Sequence, residues 1–303
     1  ALATNTTASN HVAIGKDALL YNTTGANNVG IGSASLDANT TGDNNTGLGT
    51  NALSANTTAE ANTAVGVNAL LANTTGAYNT AVGMAALDAN TTGVRNAAFG
   101  HNTMGANTTG NYNTGLGRDA LHKNTTADNN VAVGYGALYE NLTGASNTAI
   151  GASSLTANTT AANNTSVGQQ SMEANTTGAS NTAVGQGSLN ANTTAAYNTA
   201  IGAVALAVNT TGTRNDALGY QAGTALTTGS YNTFIGERAG SATTTASENV
   251  AVGSASFSAN TTGTACVAIG KNALAANTTA ANNTAVGKAA LTANTTGAGN
   301  TAV

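Results

Sequence analysis

An asparagine followed two residues on by a hydroxyl, with no proline between, is the acceptor pattern for an N-linked glycan. This chain carries that pattern again and again as Asn-Thr-Thr. It occurs at Asn5, Asn22, Asn39, Asn56, Asn73, Asn90, Asn107, Asn124, Asn158, Asn175, Asn192, Asn209, Asn260, Asn277 and Asn294, and as Asn-Leu-Thr at Asn141. Modified together, these residues make one ridge of sugar. The plainer reading is an asparagine ladder that closes a turn, and Leu226, standing where the motif's asparagine is due, favours it. The threonines suggest ice binding as another chemistry. Thr91 and Thr92 are adjacent, however, so in an extended chain they face opposite sides and make no Thr-x-Thr array. His11, His101 and His122 stand in different places of the pattern, with no paired carboxylates or cysteines beside them. Cys266 is the only cysteine and replaces an asparagine, which reads as a small packed substitute rather than a reactive thiol. Calcium-binding β-rolls need regular Asp in Gly-rich turns, and that pattern is missing. No catalytic, cofactor or metal site is expected, and an enzyme is not.

What must position these residues is a repeat. Gly83 recurs at Gly15, Gly32, Gly49, Gly66, Gly100, Gly117 and onward to Gly287, always 17 residues apart, with no insertion or deletion. A fixed short period is the signature of a solenoid. One row runs from Asn79 to Arg95, and columns are named below by their residue in that row. Asn-Thr-Thr-Gly is turn chemistry, β-branched residues adjoin glycine, and 17 residues cannot hold a helical hairpin. The row therefore predicts an all-β solenoid (a β-roll) with one coil per repeat. One strand is placed at Thr80-Ala81-Val82, and a second near Ala86-Leu87-Asp88 or at Asn90-Thr91-Thr92. At one strand spacing per coil, some 18 coils give a rod about 85 Å long. Residues 1–303 read as a single continuous repeat region, and the uncapped ends suggest a window on a longer chain.

Two columns are apolar throughout. The residue before the glycine is Ile14, Ile31, Leu48, Val65, Val82, Phe99 and so on, and the Leu87 column is Leu in 13 of 18 rows, with Met104, Met172 and Phe257 as replacements. Both are expected to fill a narrow core from two faces. The asparagine columns, the second of which holds Asn28, Asn45, Asn62, Asn79, Asn96, Asn113, Asn130 and Asn147, are expected to form axial ladders and to supply left-handed backbone at corners. Charge collects directly after the glycine (Lys16, Asp17, Arg118, Asp119), after the leucine (Asp37, Asp88, Glu140, Glu173) and before the second corner (Asp43, Glu60, Arg95, Arg214, Glu248), marking solvated faces. Asp216 breaks a column of Thr, Val and Ala, consistent with an exposed strand end. Between Gly219 and Gly253 the leucine place holds Gly223 and then Gly240, while Phe234 replaces an alanine. There Leu226 reads as a core leucine moved three residues along.

Composition narrows the partners. Charged residues are 7% of the chain, aromatics 4%, and the net charge is −4. No basic stripe suits nucleic acid, and no apolar run approaches the ~20 residues that cross a bilayer.

The string Asn-Thr-Ala-Val-Gly-x-x-Ala-Leu-x-x-Asn-Thr-Thr-Gly resembles repeats in the shafts of bacteriophage tail fibres. Val12-Ala13-Ile14-Gly15 and Val267-Ala268-Ile269-Gly270 are similar to the head repeats of trimeric autotransporter adhesins. The resemblance implies a left-handed β-roll in an extracellular fibre on a virion or cell surface. It also implies self-association as a homotrimer or fibril, and a host-surface glycan or receptor as outside partner. A trimer of such rods is expected to bury its Ala-rich columns between chains, whereas a glycan-coated single rod would carry sugar on the Asn90 column.

Overall fold

The computed structural model describes residues 1–303, which divide into two compact units, Ala1–Asn147 and Thr148–Val303. Both are parallel β-solenoids built from the 17-residue coil. The first holds strands β1 (Val12–Ile14) through β8 (Val131–Val133), including β5 (Thr80–Val82). The second holds β9 (Thr148–Ile150) through β18 (Thr301–Ala302), including β13 (Asp216–Leu218) and β14 (Thr233–Ile235). Within each unit every strand pairs in parallel with the next at a shift of one coil, so Thr63 lies beside Thr80 and Val65 beside Val82. Like stacks on like, with no slip of register.

Each coil has one strand, not two. The backbone beyond Gly83 turns sharply because Ala85 and Leu87 both take left-handed conformations, at φ 53° and 52°. A residue there cannot sit in an extended strand. A third left-handed residue ends the coil, Arg95 at φ 56°. The asparagine columns, expected to carry this backbone, do not; the Ala85, Leu87 and Arg95 columns do. Strain of this kind costs an L-residue roughly 1–2 kcal/mol, and axial hydrogen bonds hold it in place. The Leu87 N–H donates to Thr103 O of the following coil at 3.0 Å, and the Ala85 N–H to Val67 O of the preceding one at 3.0 Å.

The glycine column is fixed twice over. Gly83 has φ 138°, outside the reach of side-chain-bearing residues, and a Cβ on it would lie 2.4 Å from the carbonyl oxygen of Gly100. Backbone, not a movable side chain, fills that space. Glycine is therefore compulsory at this corner.

The core differs from the expected pair of large apolar columns. Strand side chains alternate between faces, so in Thr80-Ala81-Val82 only the central alanine points in. Ala64, Ala81 and Ala98 are fully buried, as are Leu53, Leu70, Leu87, Met104 and Met172. The residue before the glycine points out, with Ile14 59% and Leu116 50% exposed. The interior has no room for it. Where the Ala81 column holds Gly47, a Cβ would already meet the Ser35 Oγ at 2.5 Å. Ala-rich columns are thus consumed inside the chain, and the apolar surface left to a neighbour is the Val82 column.

The irregular stretch also packs differently from expectation. Leu226 is fully buried in the asparagine column, but it does not replace the missing leucine. Phe234, in the middle of β14, fills the space that Gly223 and Gly240 leave open. A Cβ on Gly223 would meet Phe234 Cδ2 at 2.7 Å, and one on Gly240 would meet Phe234 Cε1 at 2.5 Å. One aromatic ring stands in for two leucines of successive coils. Asp216 begins β13 on the outward side and is exposed, between Thr199 and Thr233.

Candidate functional site

The recurrent corner Asn90-Thr91-Thr92-Gly93 divides its labour strictly. The asparagine points inward: Asn22, Asn39, Asn56, Asn73 and Asn90 are fully buried, and so are Asn107, Asn124, Asn141, Asn158, Asn175, Asn192, Asn209, Asn260 and Asn277. Asn90 Nδ2 donates to Asn73 Oδ1 at 2.8 Å and to Gly93 O at 3.0 Å. Asn39 repeats this with Asn22 Oδ1 at 2.7 Å and Gly42 O at 3.0 Å. Both amide hydrogens of each residue are committed, one along the axis and one across its own turn. Only Asn5 is exposed, and Asn294 is half-buried. Leu226 interrupts the ladder and leaves Asn209 Oδ1 buried without a donor.

The Asn79 column works through the backbone. Asn62 Oδ1 accepts the Asn79 N–H at 2.8 Å, and Asn79 Nδ2 donates to Gly93 O at 2.8 Å. Asn28, Asn45, Asn96 and Asn113 occupy the same place, with Asn45 Nδ2 donating to Ala59 O at 2.8 Å and Asn113 Nδ2 to Ala127 O at 2.8 Å. Asn130 and Asn147 continue the column, the Asn147 N–H reaching Asn130 Oδ1 at 2.9 Å. The two exceptions imitate asparagine. His11 Nδ1 accepts the Asn28 N–H at 3.3 Å. Cys266 is buried, its N–H donates to Asn249 Oδ1 at 3.0 Å, and its thiol reaches Ala280 O at 3.4 Å. Burial pushes that thiol above its ordinary range, which suppresses the reactive thiolate.

The two threonines part company. Thr91 Oγ1 donates to Thr108 O at 3.1 Å, as Thr74 Oγ1 does to Thr91 O at 3.1 Å. These hydroxyls are bound into the axial ladder. The Thr92 column faces solvent in every coil.

Two further surfaces stand out. On the strand face, the Thr80 and Val82 columns form an outward file that is apolar along one edge, including Leu48, Phe99 and Leu116 in the first unit and Ile150, Ile201, Leu218 and Ile269 in the second. In the Arg95 column, Arg95 lies between Tyr78 and Tyr112, 5.4 and 5.5 Å from their ring centres, and Arg95 Nη1 donates to Tyr112 Oη at 2.8 Å. Arg214 repeats the stack between Tyr197 and Tyr231 at 5.3 and 5.5 Å. The spacing of 17 residues within each Tyr-Arg-Tyr set was visible in the sequence; its meaning depends on the stacking.

The charged residues are scattered. No group of three or more His, Cys, Asp or Glu side chains is placed to hold a metal. His122 stacks on Tyr139 at 5.1 Å, beside a Lys123–Glu140 ion pair at 2.7 Å that raises the lysine's pKa. Asp37 and Asp88, beside the core leucines, are pushed above the ordinary carboxylate range by partial burial. Asp37 Oδ1 has no donor. No helix is long and apolar enough to cross a membrane.

The fold defines a class, the parallel β-solenoid of tandem 17-residue coils, a repetitive scaffold of structural type. No protein-family model matches the chain, and neither a curated protein nor a solved structure is similar to it.

Proposed function

We propose that this chain is a segment of an extracellular structural fibre, a left-handed, rigid rod of the kind found in tail-fibre shafts and surface adhesins. The observation that carries the reading is the unbroken one-coil register of backbone and side-chain bonds within each unit. Stiffness follows, because bending a coil away from its neighbour breaks strand pairing, the Asn90 ladder and the Thr91 ladder together. In the folded chain the Asn90 column serves as that ladder and not as a glycan acceptor. A glycosyl group on Nδ2 would replace one of two engaged hydrogens and would have to occupy the core.

Self-association, as a homotrimer or a fibril, would use the Val82 column. A contiguous apolar strip on an otherwise polar surface marks an interaction surface, and the Ala-rich columns are already buried inside. Cryo-electron microscopy of the native material tests both parts. A slender rod with an axial repeat of about 4.8 Å and neighbouring chains meeting along Ile14, Leu48 and Leu116 is expected. A compact particle refutes the rod, and a rod whose neighbours meet elsewhere refutes the interface.

A further inference from the structure

The Thr92 column is threonine in all of its places, from Thr7 and Thr24 through Thr279 and Thr296, without exception. Each of these residues is exposed. Other exposed columns drift freely. The Met84 column holds Lys16, Val67, Met84, His101, Tyr135 and Glu237, and the Arg95 column holds Asn27, Tyr78, Arg95, Ser180 and Glu248. Recent duplication therefore does not account for the constancy, since it would preserve all columns alike. Packing does not account for it either. The glycine column is invariant because a Cβ strikes backbone, and the Thr91 column is nearly so because its hydroxyl ties two coils together. No hydrogen bond within the chain engages the Thr92 hydroxyl, and serine or asparagine would suit an exposed turn as well.

The surroundings supply a second observation. Beside the file lies the Gly93 column, which is only glycine or alanine (Gly76, Gly93, Gly110, Ala127) and is buried. Nothing bulky overhangs the hydroxyls from that side. The surface also lacks the charge that keeps proteins apart. Charged residues make up 7% of the chain with a net charge of −4, against about 25–35% of the surface in soluble domains. A scaffold this poor in charge, with an apolar strand face, needs hydration from another source.

We propose that the Thr92 column is a row of O-glycan acceptors that clothes one corner of the solenoid in neutral sugar. The donor is a nucleotide-activated sugar. Threonine Oγ1 attacks the anomeric carbon, the new C–O bond forms as the bond to the phosphate breaks, the nucleoside diphosphate leaves, and a base on the transferase takes the hydroxyl proton. Acceptors then follow one another at one strand spacing, about 4.8 Å, making a dense one-sided coat. The assignment is independent of what the fibre binds, because it rests on the column's constancy and exposure.

Site-resolved mass spectrometry of the native material tests it. The expected result is sugar mass on peptides containing Thr75, Thr92 and Thr109, localised to those residues. Alkaline β-elimination removes it and leaves a dehydrated threonine at each site, while amidase release of N-glycans leaves the mass unchanged. Unmodified Thr92-column residues in the native material overturn the proposal, as does sugar localised to Asn90 or Thr91. A compact particle in the microscope with sugar on these threonines would overturn the rod and leave the acceptor assignment standing.

Discussion

Replacing Phe234 by alanine tests whether its ring substitutes for two leucines. Truncating a buried phenylalanine costs about 3–5 kcal/mol, and here the cavity adjoins two coils that already lack their leucine. Gly223→Leu with Gly240→Leu in the native background overpacks the same space, since each Cβ meets the ring at 2.7 or 2.5 Å; overpacking costs about 1–3 kcal/mol. Combining all three changes restores the pattern of the regular coils. The two leucines gain about 1.5–3 kcal/mol each from burial against about 1–2 kcal/mol each of left-handed strain, a backbone that Leu206 already adopts at φ 48°. The triple variant is therefore expected to recover most of what Phe234→Ala loses, although both components are destabilising when made separately. Solenoids unfold by coils rather than all at once, so the assay is hydrogen exchange followed on peptides spanning 206–257, with urea midpoints alongside. A triple variant no better protected than Phe234→Ala alone would refute the shared-space argument.

Gly100→Ala, which sets a Cβ 2.7 Å from Gly117 O at φ 133°, is expected to cost at least about 1–3 kcal/mol, read as a lower urea midpoint; an unchanged midpoint would contradict compulsory glycine. Asp88 has a raised pKa from partial burial, so the folded chain holds that proton more tightly than the unfolded one. Its contribution is greatest below the unfolded aspartate value and is lost as pH rises through the raised folded value. Asp88→Asn should thus stabilise at neutral pH, with an advantage that shrinks on acidification through that window; an advantage independent of pH would remove the burial argument. Cys266→Asn should add about 0.5–1.5 kcal/mol by giving Ala280 O an amide donor, as Asn249 Nδ2 gives Gly263 O at 3.0 Å, and a loss in thermal midpoint would count against it. Arg214→Ala should lose about 1–2 kcal/mol, from two exposed cation–π contacts of about 0.5–1 kcal/mol each, with faster exchange confined to the coils of Tyr197 and Tyr231.

The unvarying step from Gly83 to Gly100 made the solenoid legible before any coordinate, because no other fold keeps a 17-residue period without slippage. The direction of individual side chains was less so. Val82 and Leu87 are five residues apart and equally apolar, yet one points out and the other in, because Ala85 and Leu87 turn the chain through left-handed conformations that apolar residues do not advertise. Leu226 did signal that the Asn90 column faces inward. Thr91 and Thr92 are the same residue type in the same turn, and only the stacked backbone reveals that Thr108 O captures one hydroxyl and leaves the other outside. The Tyr78-Arg95-Tyr112 stack was hidden for a similar reason: its members are distant along the chain and adjacent only once the coils lie on each other.

Because the bonds between coils join residues a whole repeat apart, as in Thr91 Oγ1 to Thr108 O, a coil recognises only the one on either side. Deleting or duplicating 17 residues hands each survivor an identical partner, so such a chain can lengthen or shorten in whole steps without redesign. A single-residue insertion has no such escape. It would present Val82 to a cavity sized for alanine and turn an amide of the ladder toward water. Evolution of this chain is thereby confined to changing its number of copies and decorating its outward columns, while the spelling of the step itself stays fixed.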